Sequence, residues 1–413
     1  MMKRIKQKQL DQSAGNDEAA LIKGCMPSSG DFHQARKTWS RIKHSILGSY
    51  LSLLLGKLGR PGEHVFYVDG FAGQGRYENG EDGSPLIAAK LAANPVQSSR
   101  RDVLRCINVE ENPDTYANLL EATRPYAEKG IVTNLLGTFE DHLPAILKEI
   151  KSHPTFFFID PFGTESAEIS TLQSIARRGS KTEALVRYDD TRVKRLIAWA
   201  KNNWRCLEER HRKTAEAFFA RVGKLTSDTG IEAFINDDPS AREALISGYI
   251  SEVKRRKAFR FGIHYPVRNP NTGGHHYYLA HFCDHEDGYC HMANFMAGVE
   301  RTLKGLSQRT GDIFGDQPVQ MELLEIRKEF VAQAEDTAVK RIVSALPGIL
   351  HDHNLHSRRV ENRKIFAAIV DCFGYRTTRR EWVRALRELQ YAGKLTMGGT
   401  EDSSVTRIHM FQL

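Results

Sequence analysis

The chain has 413 residues, enough for two compact domains of unequal size. Hydrophobic residues at 40% and charged residues at 27% describe a globular chain rather than a disordered one, and no stretch reaches the roughly 18 consecutive apolar residues of a membrane helix. A formal net charge of +8 suits a polyanionic partner such as nucleic acid, and the six cysteines lack framework spacing, which points to reduced thiols.

Residues 1–30 open with MMKRIKQKQLDQSAGNDEAA, basic and then polar without an apolar core. They predict a disordered leader rather than a secretory signal, and a cytoplasmic protein. From Trp39 to Leu58, Trp39, Ile42, Ile46, Leu47, Tyr50, Leu53, Leu54 and Leu58 recur at helical spacing. The period then changes. Short apolar runs at Val65–Val68, Val103–Val109, Ile131–Leu136, Phe156–Ile159 and Ala184–Tyr188 alternate with helix-like segments, which predicts a parallel, doubly wound α/β sheet.

Two helical stretches, Val193–Leu225 and Ala241–Lys257, read as an insertion over about 193–257. Phe259–Val267 and His276–Asp284 then predict a hairpin. Five parallel strands closed by an antiparallel hairpin resemble the Rossmann-like class I methyltransferase layout, here over residues 31–305. The glycine-rich, polar residues 306–320 predict a linker. Beyond it, helical segments at Met321–Leu346, Arg363–Cys372 and Thr378–Tyr391 precede strand-like Lys394–Met397 and Val405–Phe411, a winged helix-turn-helix pattern over residues 321–413.

Four strand ends carry candidate chemistry. VFYVDGFAGQGRY ends a strand at Asp69 and continues through Gly70, Ala72, Gly73 and Gly75, small residues that let backbone amides approach the methionine portion and ribose of S-adenosylmethionine. The same pattern also serves simply to close a tight turn. LRCINVEENP ends in Glu110 and Glu111, either of which can accept from ribose hydroxyls or be a solvated strand end. Gly75 and Glu110 lie further apart than the roughly 20 residues of a dinucleotide fingerprint, because Arg76–Pro85 is inserted. In LLGTFEDHL, Glu140 or Asp141 can accept from an adenine amine or complement a helix dipole. FFFIDPFG exposes Asp160, Pro161, Phe162 and Gly163. There the Asp160 carboxylate and the Pro161 carbonyl can accept protons from an exocyclic amine while Phe162 stacks on the base.

These residues resemble the three-Cys-motif partner protein family, bacterial proteins with a methyltransferase-like domain followed by a winged helix. The matching motifs are Trp39-Ser40-Arg41-Ile42-Lys43-His44, Asp69–Gly75, Gly83–Pro85 and Asp160–Gly163. The resemblance implies S-adenosylmethionine as cofactor, Lys43 at the site, and a radical-S-adenosylmethionine-like companion protein. The elements are also similar to base-amino methyltransferases with an Asp-Pro-Pro-aromatic motif, from which Phe162 and Gly163 depart.

His264, His275, His276, His281, Cys283, His285, Cys290 and His291 crowd one segment, but their spacing matches no metal-ligand pattern, and no metal is expected. In the last predicted helix, Arg380, Arg384 and Arg387 form a basic face opposite Trp382, Ala385, Leu386 and Leu389. From His356 to Leu413, eleven Lys or Arg outnumber six Asp or Glu, which predicts a nucleic-acid contact or, alternatively, a protein contact. Together these features predict a methyltransferase that modifies a base amino group of nucleic acid. The alternative is a non-catalytic cofactor-binding partner that recruits the companion to DNA. A phosphodiester hydrolase is disfavoured, because no paired carboxylates or metal-ligand cluster stand out.

Overall fold

Buried strands and one-sided helices alternate along the first two thirds of the chain, in a computed structural model that describes residues 38–58, 63–94, 104–161, 169–179, 181–190, 239–268, 274–310, 328–355, 360–398 and 405–408. The expected leader over 1–30 and the insertion up to residue 238 lie outside the described residues. Helix α1 (Thr38–Leu58) buries Ile42, Ile46, Leu47, Tyr50, Leu51 and Leu54 along one stripe, while Leu53 at its margin is exposed.

Strands β1 (Val65–Asp69), β2 (Leu104–Glu110), β3 (Val132–Leu136), β4 (Thr155–Ile159) and β5 (Thr182–Tyr188) pair in parallel. Every residue of β1 and β4 is buried, as helices on both faces require. The hairpin β6 (Phe261–Arg268) and β7 (His275–Cys283) joins with β7 antiparallel to β5. The strand order is β3-β2-β1-β4-β5-β7-β6, a Rossmann-like sheet with the terminal antiparallel hairpin that the sequence predicts.

Between the strands run α2 (Ser84–Ala93), α3 (Pro113–Ala127), α4 (Phe139–Ile150), α5 (Ile169–Ala176) and α6 (Pro239–Arg255), and α7 (Glu286–Thr310) follows the hairpin. One face of the sheet packs on α1, α2 and α7, the other on α4, α5 and α6. Asn112 caps α3 by accepting from the amides of Asp114 and Thr115, with Pro113 at the first helical position. Helix α7 runs to Thr310, five residues into the expected linker over 306–320. Gly305 is tolerated inside it at a cost of about 1 kcal/mol, and composition alone does not register that. No helix among the described residues is long and apolar enough to cross a membrane.

The last part of the chain contains α8 (Lys328–Asp352), β8 (Val360–Glu361), α9 (Asn362–Phe373), a 3-10 turn (Gly374–Arg376), α10 (Arg379–Tyr391), β9 (Leu395–Gly398) and β10 (Val405–Ile408). The strands form a small antiparallel sheet in the order β8-β10-β9. Ile365, Phe366, Ile369, Trp382 and Leu386 belong to the same apolar cluster as Tyr50, Met292 and Met296, so no solvent layer divides the two parts. Polar contacts cross the seam as well. The Tyr289 hydroxyl donates to Asp371 Oδ1 at 2.9 Å, the Arg379 amide donates to Asn294 Oδ1 at 2.8 Å, and Arg301 pairs with the fully buried Glu381.

Glu381 also accepts from the Thr378 amide at 2.7 Å, so Arg301 supplies its only charged partner among the described residues. Removing one member of a buried ion pair strands the other, at a cost of about 3 kcal/mol. Arg301→Ala is therefore expected to lower the urea midpoint, and adding Glu381→Gln in the Arg301→Ala background should recover much of the loss. Equal midpoints for wild type and Arg301→Ala would show that the seam bears no load.

Candidate active site

The winding of the sheet reverses between β1 and β4, and ligands of open α/β sheets bind in the crevice beyond the strand ends at such a point. The loop from Asp69 to Gly75 crosses this crevice. The Gly70 amide donates to the Phe158 carbonyl of β4 at 3.0 Å, and the Ala72 amide donates to the Val109 carbonyl of β2 at 2.9 Å. A side chain on Gly70 would meet the Phe139 ring at 3.0 Å, so the close approach demands glycine.

Gly73 has φ +63°, and nothing lies within 4 Å of where its side chain would begin, so this stretch of backbone faces open space. At Gly75 (φ +77°) a side chain would press on Leu119 and Ala122 of α3. Its carbonyl accepts from the Gly83 amide at 2.8 Å, which closes the inserted segment into a turn and delivers the chain to α2.

Glu110 stands at the end of β2 beside this loop. Its Oε2 accepts from the Gly73 amide and its Oε1 from the Asn112 amide, both at 2.9 Å. Burial pushes its carboxyl up, and the two amides offset only part of that. The next turn is tied to the same strand end, because the Gly137 amide donates to the Glu110 carbonyl at 3.0 Å. Glu140 and Asp141 occupy the exposed first turn of α4. There Asp141 is engaged by the capping residue Thr138, whose hydroxyl donates to Oδ2 at 2.7 Å and accepts from the Asp141 amide.

Asp69 is fully buried. Its Oδ2 accepts from the Tyr67 hydroxyl at 2.9 Å and its Oδ1 from the Phe71 amide at 3.2 Å, so its carboxylate shapes the loop rather than lining the crevice. Burial pushes this carboxyl up to about 6 against the hydrogen bonds from Ser84, Tyr67 and Phe71.

Asp160 lies in the next position after β4 and meets two cations. Lys43 of α1 bonds Oδ2, and the Arg187 guanidinium of β5 approaches Oδ1 at 3.5 Å while also donating to Asp189 at 3.0 Å. Burial works to raise the Asp160 carboxyl, but Lys43 and Arg187 outweigh it and hold the group below the usual carboxylate range. Burial likewise works against the Lys43 ammonium, yet Asp160 keeps it above its ordinary value. Lys43, expected among the cofactor contacts, is thus the ion-pair partner of the candidate catalytic carboxylate. Pro161 is buried next to it, and Phe162 lies outside the described residues.

Sequence reasoning missed Arg187. It sits inside the apolar run ALVRYDD, and the one available signal was a lone charge near the end of a buried strand. Its guanidinium stacks on Tyr277 of β7, 4.5 Å from the ring centre. Further out on the same rim, Asp190 accepts from Arg242 at 2.5 Å and contacts His275 at 2.7 Å.

Three more residues of the crowded segment have local partners. His264 contacts Glu243 at 2.7 Å, His281 contacts Glu183 at 2.8 Å, and the Cys283 thiol donates to the His285 carbonyl at 3.4 Å. Among the described residues no group of three or more His, Cys, Asp or Glu could hold a metal ion. Arg380, Arg384 and Arg387 lie away from this edge, on α10. There Arg380 Nε is 3.5 Å from Glu335, and Arg384 Nη2 is 2.6 Å from Asp336 of α8.

No family model and no curated protein matches this chain. Solved structures similar to it include a protein from Legionella pneumophila str. Philadelphia 1 at 14% identity, covering 67% of this chain and 93% of that one, with a TM-score of 0.37. An O-methyltransferase from Bacillus cereus in complex with SAH is similar at 11% identity over 66% and 91% of the two chains, TM-score 0.31. A putative O-methyltransferase from Klebsiella pneumoniae is similar at 12% identity over 67% and 100%, TM-score 0.30.

The raised Asp69 carboxyl has a consequence for stability. The folded protein holds this proton up to about pH 6, whereas the unfolded chain releases it near the ordinary carboxyl value of 3.8. Folding is therefore favoured below the lower value and loses about 3 kcal/mol as pH rises through the window. Asp69→Asn should remove that downward step between pH 4 and 6. Urea titrations at half-unit pH intervals test it, and an unchanged slope would mean that Asp69 is ionised in the fold.

Proposed function

We propose that the chain is an S-adenosylmethionine-dependent methyltransferase acting on nucleic acid at a base amino group. Residues 321–413 act in this reading as a winged helix-turn-helix unit for binding or partner recognition. The observation that carries the reading is the loop from Asp69 to Gly75, bonded across the ends of β4 and β2 with Gly73 facing open space and Glu110 beside it. These residues fit the cofactor. Close backbone approach is possible at Gly73, and each Glu110 oxygen, engaged by one amide, keeps a lone pair for a ribose hydroxyl.

When bound, S-adenosylmethionine supplies an electrophilic methyl group. The chain's own part is to present the acceptor. Asp160, kept ionised by Lys43 and Arg187, and the Pro161 carbonyl accept the protons of an exocyclic amine and so turn its nitrogen lone pair toward the methyl. Glu140, on the exposed turn that follows β3, is the candidate acceptor for the adenine amine of the cofactor. The helices α9 and α10 with the β9–β10 hairpin support the winged-helix reading.

A second reading is favoured by one feature, that both Asp160 oxygens are already engaged by cations. In it the chain binds the cofactor without turnover and recruits a radical-S-adenosylmethionine-like companion to DNA.

Calorimetry should find low-micromolar binding of S-adenosylmethionine or its demethylated product, within the range usual for small-ligand sites. Gly73→Val, which forces a β-branched residue to positive φ in the open face, should abolish that binding while circular dichroism stays unchanged. Retained affinity would reduce the loop to a turn.

Asp160→Asn is expected to keep cofactor affinity within a few-fold and to lose methyl transfer to nucleic acid by at least about a hundredfold, since its carboxylate is assigned to the acceptor. Single-turnover assays with labelled cofactor read the difference. An active Asp160→Asn protein would end the base-amine mechanism, and a wild type that binds cofactor but transfers nothing would favour the recruiting partner.

A further inference from the structure

Away from the crevice, a cleft of about 570 Å³ opens between α7 and α10, lined by Asn294, Arg379, Arg380, Val383, Arg384 and Arg387. Four of its six lining residues are arginines and none is a carboxylate, so the cleft presents hydrogen-bond donors and positive charge. Asn294 adds to this. Its Oδ1 is committed to the Arg379 amide, which leaves the side-chain NH2 as the group it can offer a ligand.

We propose that this cleft is a binding site for phosphate esters, and that the phosphodiester backbone of a nucleic-acid strand is its ligand. The inference deepens the nucleic-acid half of the function proposed above and rests on that reading only for the choice of a strand over a free nucleotide.

The acidic residues near the cleft orient the arginines. Glu335 takes Arg380 through Nε, and the Arg380 side chain remains 78% exposed, so the terminal nitrogens of its guanidinium stay open to solvent. Arg384 is held more fully, with its terminal Nη2 2.6 Å from Asp336 and its Nε 3.8 Å from Glu388, so it offers a ligand fewer free donors than Arg380. A guanidinium has five donors, and one fixed carboxylate contact reduces the freedom lost when a phosphate takes the others. Arg379 is steadied by the Phe366 ring, 5.4 Å from its guanidinium carbon.

Geometry selects a strand. Residues 379–387 rise about 12 Å along the helix axis, long enough to meet more than one phosphate of a strand. Insertion of α10 into a major groove would need its first turn free to reach base edges. That turn is instead tied to α7 through the Arg379 amide on Asn294 and through Arg301 on Glu381. Contact with backbone phosphates, which carries no base sequence, is the mode left to this face.

The test uses the full chain, a fluorescent twelve-nucleotide single strand, and inorganic pyrophosphate. The expected result is that both bind, that pyrophosphate displaces the strand, and that R380Q/R387Q weakens both by tenfold or more while the salt slope for the strand falls by up to about two. Affinity for the demethylated cofactor product, held by the other site, should not change, and it reports that the variant is folded. R380K/R387K keeps the charge and should retain more affinity than the glutamine pair, which guards against a Gln variant that fails to fold. Strand binding unaltered in R380Q/R387Q would overturn the cleft while leaving the nucleic-acid reading intact. Pyrophosphate binding without strand binding would support the phosphate site but assign it to small phosphates, against the nucleic-acid reading. Neither ligand binding to wild type would overturn the proposal outright, whatever the cofactor does.

Discussion

The reversal of winding between β1 and β4 is the constraint on which the site depends. Neighbouring parallel strands there send their connections to opposite faces, so their carboxyl ends are left uncovered and their last carbonyls need donors. The loop after β1 supplies them, with the Gly70 amide on β4 and the Ala72 amide on β2. A loop stretched over two strands in this way has little freedom left. Gly70 rests on the Phe139 ring, Gly75 on α3, and only the stretch around Gly73 faces outward. Glu110 and Asp160 then follow from register, since each ends or directly follows a strand paired with β1.

Two aspartates at this edge are driven in opposite directions by their surroundings. Asp69 meets only neutral donors, and burial wins, so its proton is held to about pH 6. Asp160 meets Lys43 and Arg187, and attraction wins over burial. Near neutrality both are anionic, so their partners and not their charge set them apart. Asp69 braces the turn through Tyr67 and Phe71, whereas Asp160 ties α1 and β5 together at the end of β4 through Lys43 and Arg187. Burying a charged cluster of this kind costs several kcal/mol per ion before pairing is counted. The chain offsets that cost with two cations on one carboxylate and a second carboxylate, Asp189, on Arg187.

Much of the sheet was legible because its strands obey local rules. Val65–Val68 and Phe156–Ile159 are apolar runs each followed by an acidic residue, and the glycines clustered after Asp69 flag the loop before any fold is known. The terminal hairpin was legible from the glycine-rich segment between its two apolar runs. What the sequence could not show was pairing across distance. Lys43 and Asp160 are 117 positions apart, and nothing in either segment states that α1 lies over the end of β4. Arg187 was hidden for the opposite reason: an apolar run absorbs a single charge without changing its period. The expected linker failed partway because composition marks glycine-rich, polar residues as loops, whereas α7 continues into them as far as Thr310.

The basic face of α10 shows how far periodicity reaches. Helical spacing correctly separates Trp382, Ala385, Leu386 and Leu389, all buried, from Arg380, Arg384 and Arg387, all exposed. It says nothing of what stands opposite the exposed side. In the fold that neighbour is α7 at one end and the acidic residues of α8 along the flank, so a face that reads as free for a groove becomes one wall of a cleft. The same helix α7 begins beside Glu183, where a side chain on Gly288 would meet that carboxylate at 2.6 Å, and reaches Glu381 through Arg301. One continuous helix therefore spans from the sheet to the cleft. The position of the arginines relative to the strand ends is set by helix geometry, and a strand seated in the cleft would be held at a fixed distance from the edge that carries Asp160.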